Sequence, residues 1–191
     1  NVAIGYQSQY SGTSGRYNVS IGYGSLFNNT ACSNVAIGTR ALNQTTTGGS
    51  NTAVGDCALY NNTVASNSAF GYNAAKAVTT AGYVTAIGSS ALLSHTSGNH
   101  NTAIGSNAAQ SLTTASSGLF IGSSAGQCTT TNSGHYVGYR AGYLQTGAVN
   151  TAFGQSAMAG VNGCTNTGSY NTAIGHRTLQ NLDTGVNNTG V

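Results

Sequence analysis

A five-residue phrase recurs along the whole chain at a nearly constant spacing. Its clearest copies read NVAIG from Asn1 and Asn34, and NTAIG from Asn101 and Asn171. Every copy, including the degraded ones, ends in an anchor glycine, and successive anchors lie 16 or 17 residues apart except for one gap of 21. A short fixed period is typical of a stacked architecture in which each repeat contacts only its neighbours. The eleven anchor glycines are Gly5, Gly22, Gly38, Gly55, Gly71, Gly88, Gly105, Gly122, Gly138, Gly154 and Gly175.

The three residues before each anchor glycine predict a short β-strand. Its middle residue is mostly alanine, the Ala column, and its first residue is mostly Val or Thr. Since side chains alternate along a strand, the first and third residues share one face and the Ala column takes the other. We predict that the third residue points inside each coil and the Ala column toward a neighbouring chain, although the reverse assignment stays open. The third residues, here called the Ile column, are all β-branched or aromatic: Ile4, Ile21, Ile37, Val54, Phe70, Ile87, Ile104, Ile121, Val137, Phe153 and Ile174.

This period predicts an all-β parallel β-solenoid of about eleven coils of roughly 17 residues, forming a single module over residues 1–191. It is too short for helical repeats such as the tetratricopeptide, and no helical periodicity is present. The absence of proline agrees with strands that are paired on both sides. Leucines such as Leu42, four residues after the anchor, indicate a second apolar contact per coil. The asparagines that open the phrase predict a ladder of amides bonded to one another or to the backbone.

Composition argues against several classes of function. Only 4% of the residues are charged and the five basic residues are scattered, so nucleic-acid and anionic-membrane partners have little support. No apolar run approaches the roughly 20 residues of a membrane-spanning helix. Asp56 and Asp183 are the only acids and lie many coils apart, so no carboxylate pair can form within one chain. We therefore expect a protein that is not an enzyme and binds no cofactor.

The cysteines and histidines do not form a metal-binding pattern. No cysteine pair has CxxC spacing, so neither a disulfide framework nor a zinc site is indicated. The histidines fall in four different positions of the repeat, and we expect His95 and His100 to be solvent-exposed rather than metal ligands. The four cysteines are Cys32, Cys57, Cys128 and Cys164. The other two histidines are His135 and His176.

The repeated NVAIG and NTAIG phrases, each followed by two variable residues and a small one, resemble the head repeats of trimeric autotransporter adhesins of the YadA type. The stretch ALYNNT, residues 58–63, looks closer to related repeats in tail-fibre proteins of phages and large viruses. The resemblance covers nearly the whole chain. It implies a left-handed parallel β-roll and a homotrimer of chains packed side by side around one axis. It also implies an extracellular location, at a cell or virion surface, as an adhesin or fibre.

From this resemblance we expect a structural or adhesive fibre module that attaches to a host receptor, glycan or matrix protein, or that forms a fibre shaft. The chain starts at the first residue of a repeat, and we expect it to be a piece of a longer fibre. Two coils depart from the pattern, because Gly118 and Gly134 replace the leading Asn while Phe120 and Tyr136 replace the Ala.

Two sets of residues suggest surfaces for binding. Tyrosines follow the anchor glycine in four coils, where they would either bind glycans or a receptor, or pack at the rim between subunits. Threonine occurs eight residues after the anchor glycine in nine consecutive coils. All variation in coil length falls between this threonine and the next asparagine, so this side of the coil is predicted to be an exposed turn. Such a threonine ladder leaves an ice-binding β-solenoid as the alternative function, although its neighbouring columns are mixed. The four tyrosines are Tyr6, Tyr23, Tyr72 and Tyr139.

Overall fold

The chain forms one twelve-stranded parallel sheet whose strands follow one another in sequence order. The structure, a computed structural model, describes residues 1–12, 14–130, 133–160 and 166–191. The described residues contain no helix. The strands are β1 (Val2–Ile4), β2 (Val19–Ile21), β3 (Val35–Ile37), β4 (Thr52–Val54), β5 (Ser68–Phe70), β6 (Thr85–Ile87), β7 (Thr102–Ile104), β8 (Leu119–Ile121), β9 (His135–Val137), β10 (Thr151–Phe153), β11 (Thr172–Ile174) and β12 (Thr189–Gly190).

Each strand pairs with the equivalent strand of the next coil in perfect register. Ala86 of β6, for example, lies opposite Ala103 of β7, and Ile87 lies opposite Ile104. Equivalent positions therefore stack into continuous columns along the rod, and the predicted parallel β-solenoid is confirmed. The sequence pattern missed β12, where Gly190 takes the place of the alanine and pairs with Ala173.

The anchor glycines are required by close backbone approach as well as by their dihedral angles. All eleven have φ between 125° and 136°, a region that residues with side chains rarely adopt. A Cβ atom at Gly55 would lie 2.4 Å from the carbonyl oxygen of Gly71 in the next coil. The equivalent contact with the next anchor occurs at all ten anchors from Gly5 to Gly154, which explains why glycine is kept there. A Cβ atom at Gly175 would instead meet the side chain of Thr178 at 2.8 Å.

The prediction that the Ile column lies inside the coil is wrong, because the Ala column lies inside the coil instead. Ala36, Ala53 and Ala103 are completely buried within the coil, whereas Ile37 is 37% exposed and Ile4 is 56% exposed. The interior is narrow, and the leucines four residues after the anchor already fill the space that the alanines face. Six members of the Ile column are exposed: Ile4, Ile37, Phe70, Ile87, Phe153 and Ile174. The remaining five, half-buried, are Ile21, Val54, Ile104, Ile121 and Val137.

The two departing coils show which residues face each other across the interior. Phe120 is fully buried, and the position that is leucine in other coils is Gly126. A Cβ atom at Gly126 would lie only 2.4 Å from the Phe120 ring. Gly142 makes the same room for Tyr136, and the two rings meet edge to face at 5.7 Å. A larger residue in the Ala column is thus compensated by a smaller one opposite, as dense packing requires.

The asparagine ladder predicted from the phrase is confirmed, and each amide joins two coils. Oδ1 of Asn34 accepts a hydrogen bond from the backbone N–H of Asn51 at 2.9 Å. Nδ2 of Asn34 donates to the carbonyl oxygen of Gly48 at 3.0 Å and to Oδ1 of Asn29 at 3.1 Å. Equivalent bonds recur wherever asparagine occupies this position, so the ladder satisfies buried backbone groups along the rod. Val84, Gly118 and Gly134 interrupt it.

Candidate functional site

Most of the exposed large hydrophobic side chains of the described residues lie on the side of the sheet that points away from the coil interior. We define the outward face as four columns: the first and third strand residues, the residue two before the strand, and the residue directly after the anchor glycine. Among the residues that the structure describes, eighteen large hydrophobic side chains are exposed, and fifteen of them lie in these columns. The fifteen are Val2, Ile4, Tyr6, Tyr17, Tyr23, Ile37, Phe70, Tyr72, Tyr83, Ile87, Tyr139, Val149, Phe153, Tyr170 and Ile174.

Tyrosines stand on the side of this face that follows the strand. All four tyrosines predicted as surface residues are exposed: Tyr6, Tyr23, Tyr72 and Tyr139. Tyr6 and Tyr23 stack at 5.7 Å between ring centroids, because adjacent coils bring equivalent side chains together. Tyr72 and Tyr139 lie on separate coils farther along the rod. The four residues therefore form one stacked pair and two isolated rings rather than one cluster.

A second set of aromatic residues, which the sequence reasoning missed, lies on the opposite side of the strand. Tyr17, Tyr83 and Tyr170 precede the strand by two residues and are 61–79% exposed. Tyr83 stacks on His100 of the next coil at 4.9 Å. The signal in the sequence was the column itself, because tyrosine occurs two residues before the strand in three coils. Strand alternation does not place these side chains, since φ is 58–60° at the three tyrosines. The apolar centre of the outward face is thus bordered by aromatic side chains on both sides.

The outward face carries almost no fixed charge. Among its four columns, Asp56 is the only aspartate, glutamate, lysine or arginine. His135 stands in the first-strand column, between Leu119 and Thr151 on the neighbouring strands. A partner for this surface would consequently be recognised by apolar and aromatic contact rather than by charge pairing.

His95 is buried, contrary to the expected exposure. It lies seven residues after its anchor glycine, a position whose side chains point into the coil, and burial lowers its pKa. Its Nε2 atom lies 2.9 Å from the carbonyl oxygen of Gly98 and 3.2 Å from Nδ2 of Asn101. His100 is exposed, as predicted. Within the described ranges, no three His, Cys, Asp or Glu side chains come together as ligands of a metal ion.

The described cysteines do not form a reactive site. Cys32, Cys57 and Cys128 are free thiols, while Cys164 lies outside the described residues. Burial raises the pKa of both Cys57 and Cys128, and this disfavours the nucleophilic thiolate form.

Six of the eight described members of the threonine column donate their hydroxyl groups to backbone carbonyl oxygens: Thr30, Thr63, Thr79, Thr96, Thr113 and Thr146. Oγ1 of Thr63 donates to the carbonyl oxygen of Thr79 at 2.8 Å, and Oγ1 of Thr113 donates to that of Thr130 at 2.9 Å. The column is exposed or half-buried over its described members, and Thr13 lies outside the described residues. A threonine bonded in this way has no hydroxyl proton left to donate outward.

Comparisons of the chain with protein-family models, with curated proteins and with solved structures find no match. Over the part of the chain that the structure describes, no helix is long and apolar enough to cross a membrane.

Proposed function

We propose that this chain is a non-enzymatic fibre module that associates with further copies of itself through the outward face. The observation that carries the proposal is that, over the described part of the chain, fifteen of the eighteen exposed large hydrophobic side chains lie on that face. Exposed apolar patches of this kind mark interaction sites. Parallel sheets are also found almost only where both faces are covered. The coil interior covers one face here, and a second chain would cover the other.

The resemblance to trimeric adhesin heads and viral tail fibres supports three copies around one axis, in a left-handed β-roll. In such an assembly the Ile columns would meet near the axis, and the tyrosine columns would lie at the rims between subunits. This arrangement favours the packing interpretation of the tyrosines over glycan binding, since a stacked pair such as Tyr6 and Tyr23 covers part of the ring faces that a sugar would use.

Adhesion or shaft formation would then depend on the surface that the assembly leaves exposed. The threonine column and those residues of the following arc that do not belong to the outward face would remain exposed, and this arc holds all the length variation. A host receptor, glycan or matrix protein would bind there, at an extracellular, cell or virion surface.

Native mass spectrometry over a range of concentrations tests the assembly. We expect a species of three chains, three times the 19.0 kDa of one chain. A single-chain species at all concentrations would contradict the proposal.

An ice-binding solenoid has weaker support. Six of the described threonine hydroxyls that would contact ice already donate to backbone carbonyls of the next coil, as Thr96 does to Thr113 at 3.2 Å. We expect no thermal hysteresis and no shaping of ice crystals by the purified protein. Either effect would favour the ice-binding function over the fibre module.

A further inference from the structure

Three of the four histidines stand in the columns of the outward face. His100 lies two residues before β7 and His176 directly follows an anchor glycine, so both belong to the border columns, and both are exposed. His135 is the first residue of β9, in the apolar centre of the face, and it is half-buried in the single chain. A copy that covers the outward face would therefore enclose His135 more completely than the other two histidines.

The immediate surroundings of His135 contain no negative charge. Leu119 of β8 and Thr151 of β10 flank it in the first-strand column. The third residues of β8, β9 and β10 are all apolar, and the residues two before these strands are uncharged. None of these neighbours supplies a carboxylate to a protonated imidazole.

The charged and titratable groups farther from His135 do not supply one either. Tyr139 stands in the border column of the same coil, and the guanidinium of Arg140 lies 4.3 Å from the centroid of the Tyr143 ring. Asp56, the only carboxylate of the outward face, lies five coils away. At about 4.8 Å per coil this is roughly 24 Å, well beyond the screening length of about 8 Å at physiological ionic strength. A second copy adds only the same columns and the same single carboxylate.

Enclosure of a protonated His135 side chain would consequently be costly. Transfer of an unpaired charge from water into an apolar contact is strongly unfavourable, whereas transfer of a neutral polar group costs much less. Histidine is the side chain that ordinarily changes its charge between about pH 5 and pH 8. Association through the outward face therefore depends on whether His135 carries a proton.

We propose that His135 acts as a pH switch of self-association, so that copies bind through the outward face while its imidazole is neutral and separate when it is protonated. The inference rests on the proposed self-association and adds its regulation. The separated chain takes up the proton more readily than the assembled one. Association should consequently weaken as the pH falls through the range in which histidine is protonated.

Sedimentation velocity over a dilution series tests the switch at about pH 7.5 and about pH 5.5, on either side of the ordinary histidine pKa. EDTA in both buffers keeps metal ions from bridging imidazoles. For a histidine of ordinary pKa, about 6.5, exclusion of one proton from each of three chains lowers the association constant about a thousandfold between these pH values. The chain concentration at half-association would then rise about thirtyfold, and we expect a rise of at least about tenfold for the original protein.

Three variants separate His135 from other effects of acid. His135→Thr, which copies Thr151 of the next strand, should associate at both pH values with less than about a threefold change. His176→Gln, which copies Gln155 in the same border column, removes an equal charge from an exposed position and should keep most of the original dependence. His95→Leu removes the imidazole buried in the coil, whose protonation destabilises the fold rather than the contact between copies, and should also keep it. Circular dichroism should show folded chains at both pH values.

A change of less than about threefold in the original protein would overturn the switch while leaving self-association intact. The same conclusion would follow if His135→Thr kept the full dependence, or if it did not associate at the higher pH. Loss of the dependence in His95→Leu or His176→Gln would overturn the switch as well, since acid would then act by unfolding or through overall charge. Absence of any association by the original protein at the higher pH would instead overturn the proposed function, and the switch with it.

Discussion

Phe120 shows how tightly single residues are constrained by the narrow interior of a coil. It stands where most coils have alanine, and it fits because Gly126 stands where many coils have leucine. The backbone alone does not demand this glycine, since Leu42 and Leu92 occupy the equivalent position with φ of 49° and 51°. The available volume decides the residue at this position.

Gly126→Leu should therefore destabilise the protein through overpacking against Phe120. The ring already lies 2.4 Å from the position of an added Cβ, and overpacking of this kind costs about 1–3 kcal/mol or more. Urea denaturation measures the loss. The double variant Phe120→Ala with Gly126→Leu restores the pattern of the other coils and should recover most of the stability. Equal stability of the single variant and the original would show that the two positions do not face each other.

His95 should make stability depend on pH. Burial lowers its pKa in the folded chain, so the unfolded chain takes up the proton first as pH falls below about 6.5. The free energy of unfolding should decrease as the pH falls below about 6.5. The decrease should end once the pH lies below the lowered pKa of His95 in the folded chain, because His95 is then protonated in both states. His95→Leu, which copies the leucine that the next coil has at Leu112, should flatten this part of the profile. The exposed His100→Gln variant is the control and should leave it unchanged.

The next scale is the strand together with the turn that precedes it. The strands pair neighbouring coils through at most three residues each, and the asparagine ladder adds further hydrogen bonds between the same coils. Asn34→Ala would leave the backbone N–H of Asn51 and the carbonyl of Gly48 without their side-chain partners. Each buried group left unpaired costs about 1–3 kcal/mol, so we expect a loss of roughly 2–5 kcal/mol in urea denaturation. Asn28 of the same coil is half-buried, and its Nδ2 donates to Oε1 of Gln44 at the long distance of 3.5 Å. Asn28→Ala should therefore change stability by about 0.5 kcal/mol or less. A similar loss in both variants would contradict a special role for the ladder.

The sequence predicted the strands, their register and the ladder because these features recur at fixed positions. It did not predict which strand face is inside, since alternation defines two faces without ranking them and both faces are apolar or small here. The pair Phe120 and Gly126, repeated as Tyr136 and Gly142, held that information, because only residues that face each other compensate in volume. The burial of His95 was missed for a related reason: its position holds Val78 in one coil and Leu112 in another, but Asn62 in a third. A mixed column of this kind gives no periodic signal.

At the scale of the whole molecule, the reversal of the two faces changes what a substitution should do. A large residue in place of Ala103 enters the coil interior, so it should damage the fold of the coil itself rather than an interface. A charged residue in place of Ile87 enters the outward face, where a single chain tolerates it and a partner chain does not. Thr113→Ala removes one hydrogen bond, to the carbonyl of Thr130, and should cost about 1 kcal/mol without affecting assembly.

The central claim is that the Ile column is the surface between copies. Sedimentation equilibrium tests it most directly when the original protein is compared with the variants Ile87→Lys and Ala103→Phe, and circular dichroism of each protein checks its fold. The original protein should sediment as three chains of 19.0 kDa. Ile87→Lys should sediment as one chain with an unchanged spectrum, and Ala103→Phe should lose β-sheet signal. A single-chain original protein, or an Ile87→Lys variant that remains trimeric while Ala103→Phe dissociates with its fold intact, would contradict the account.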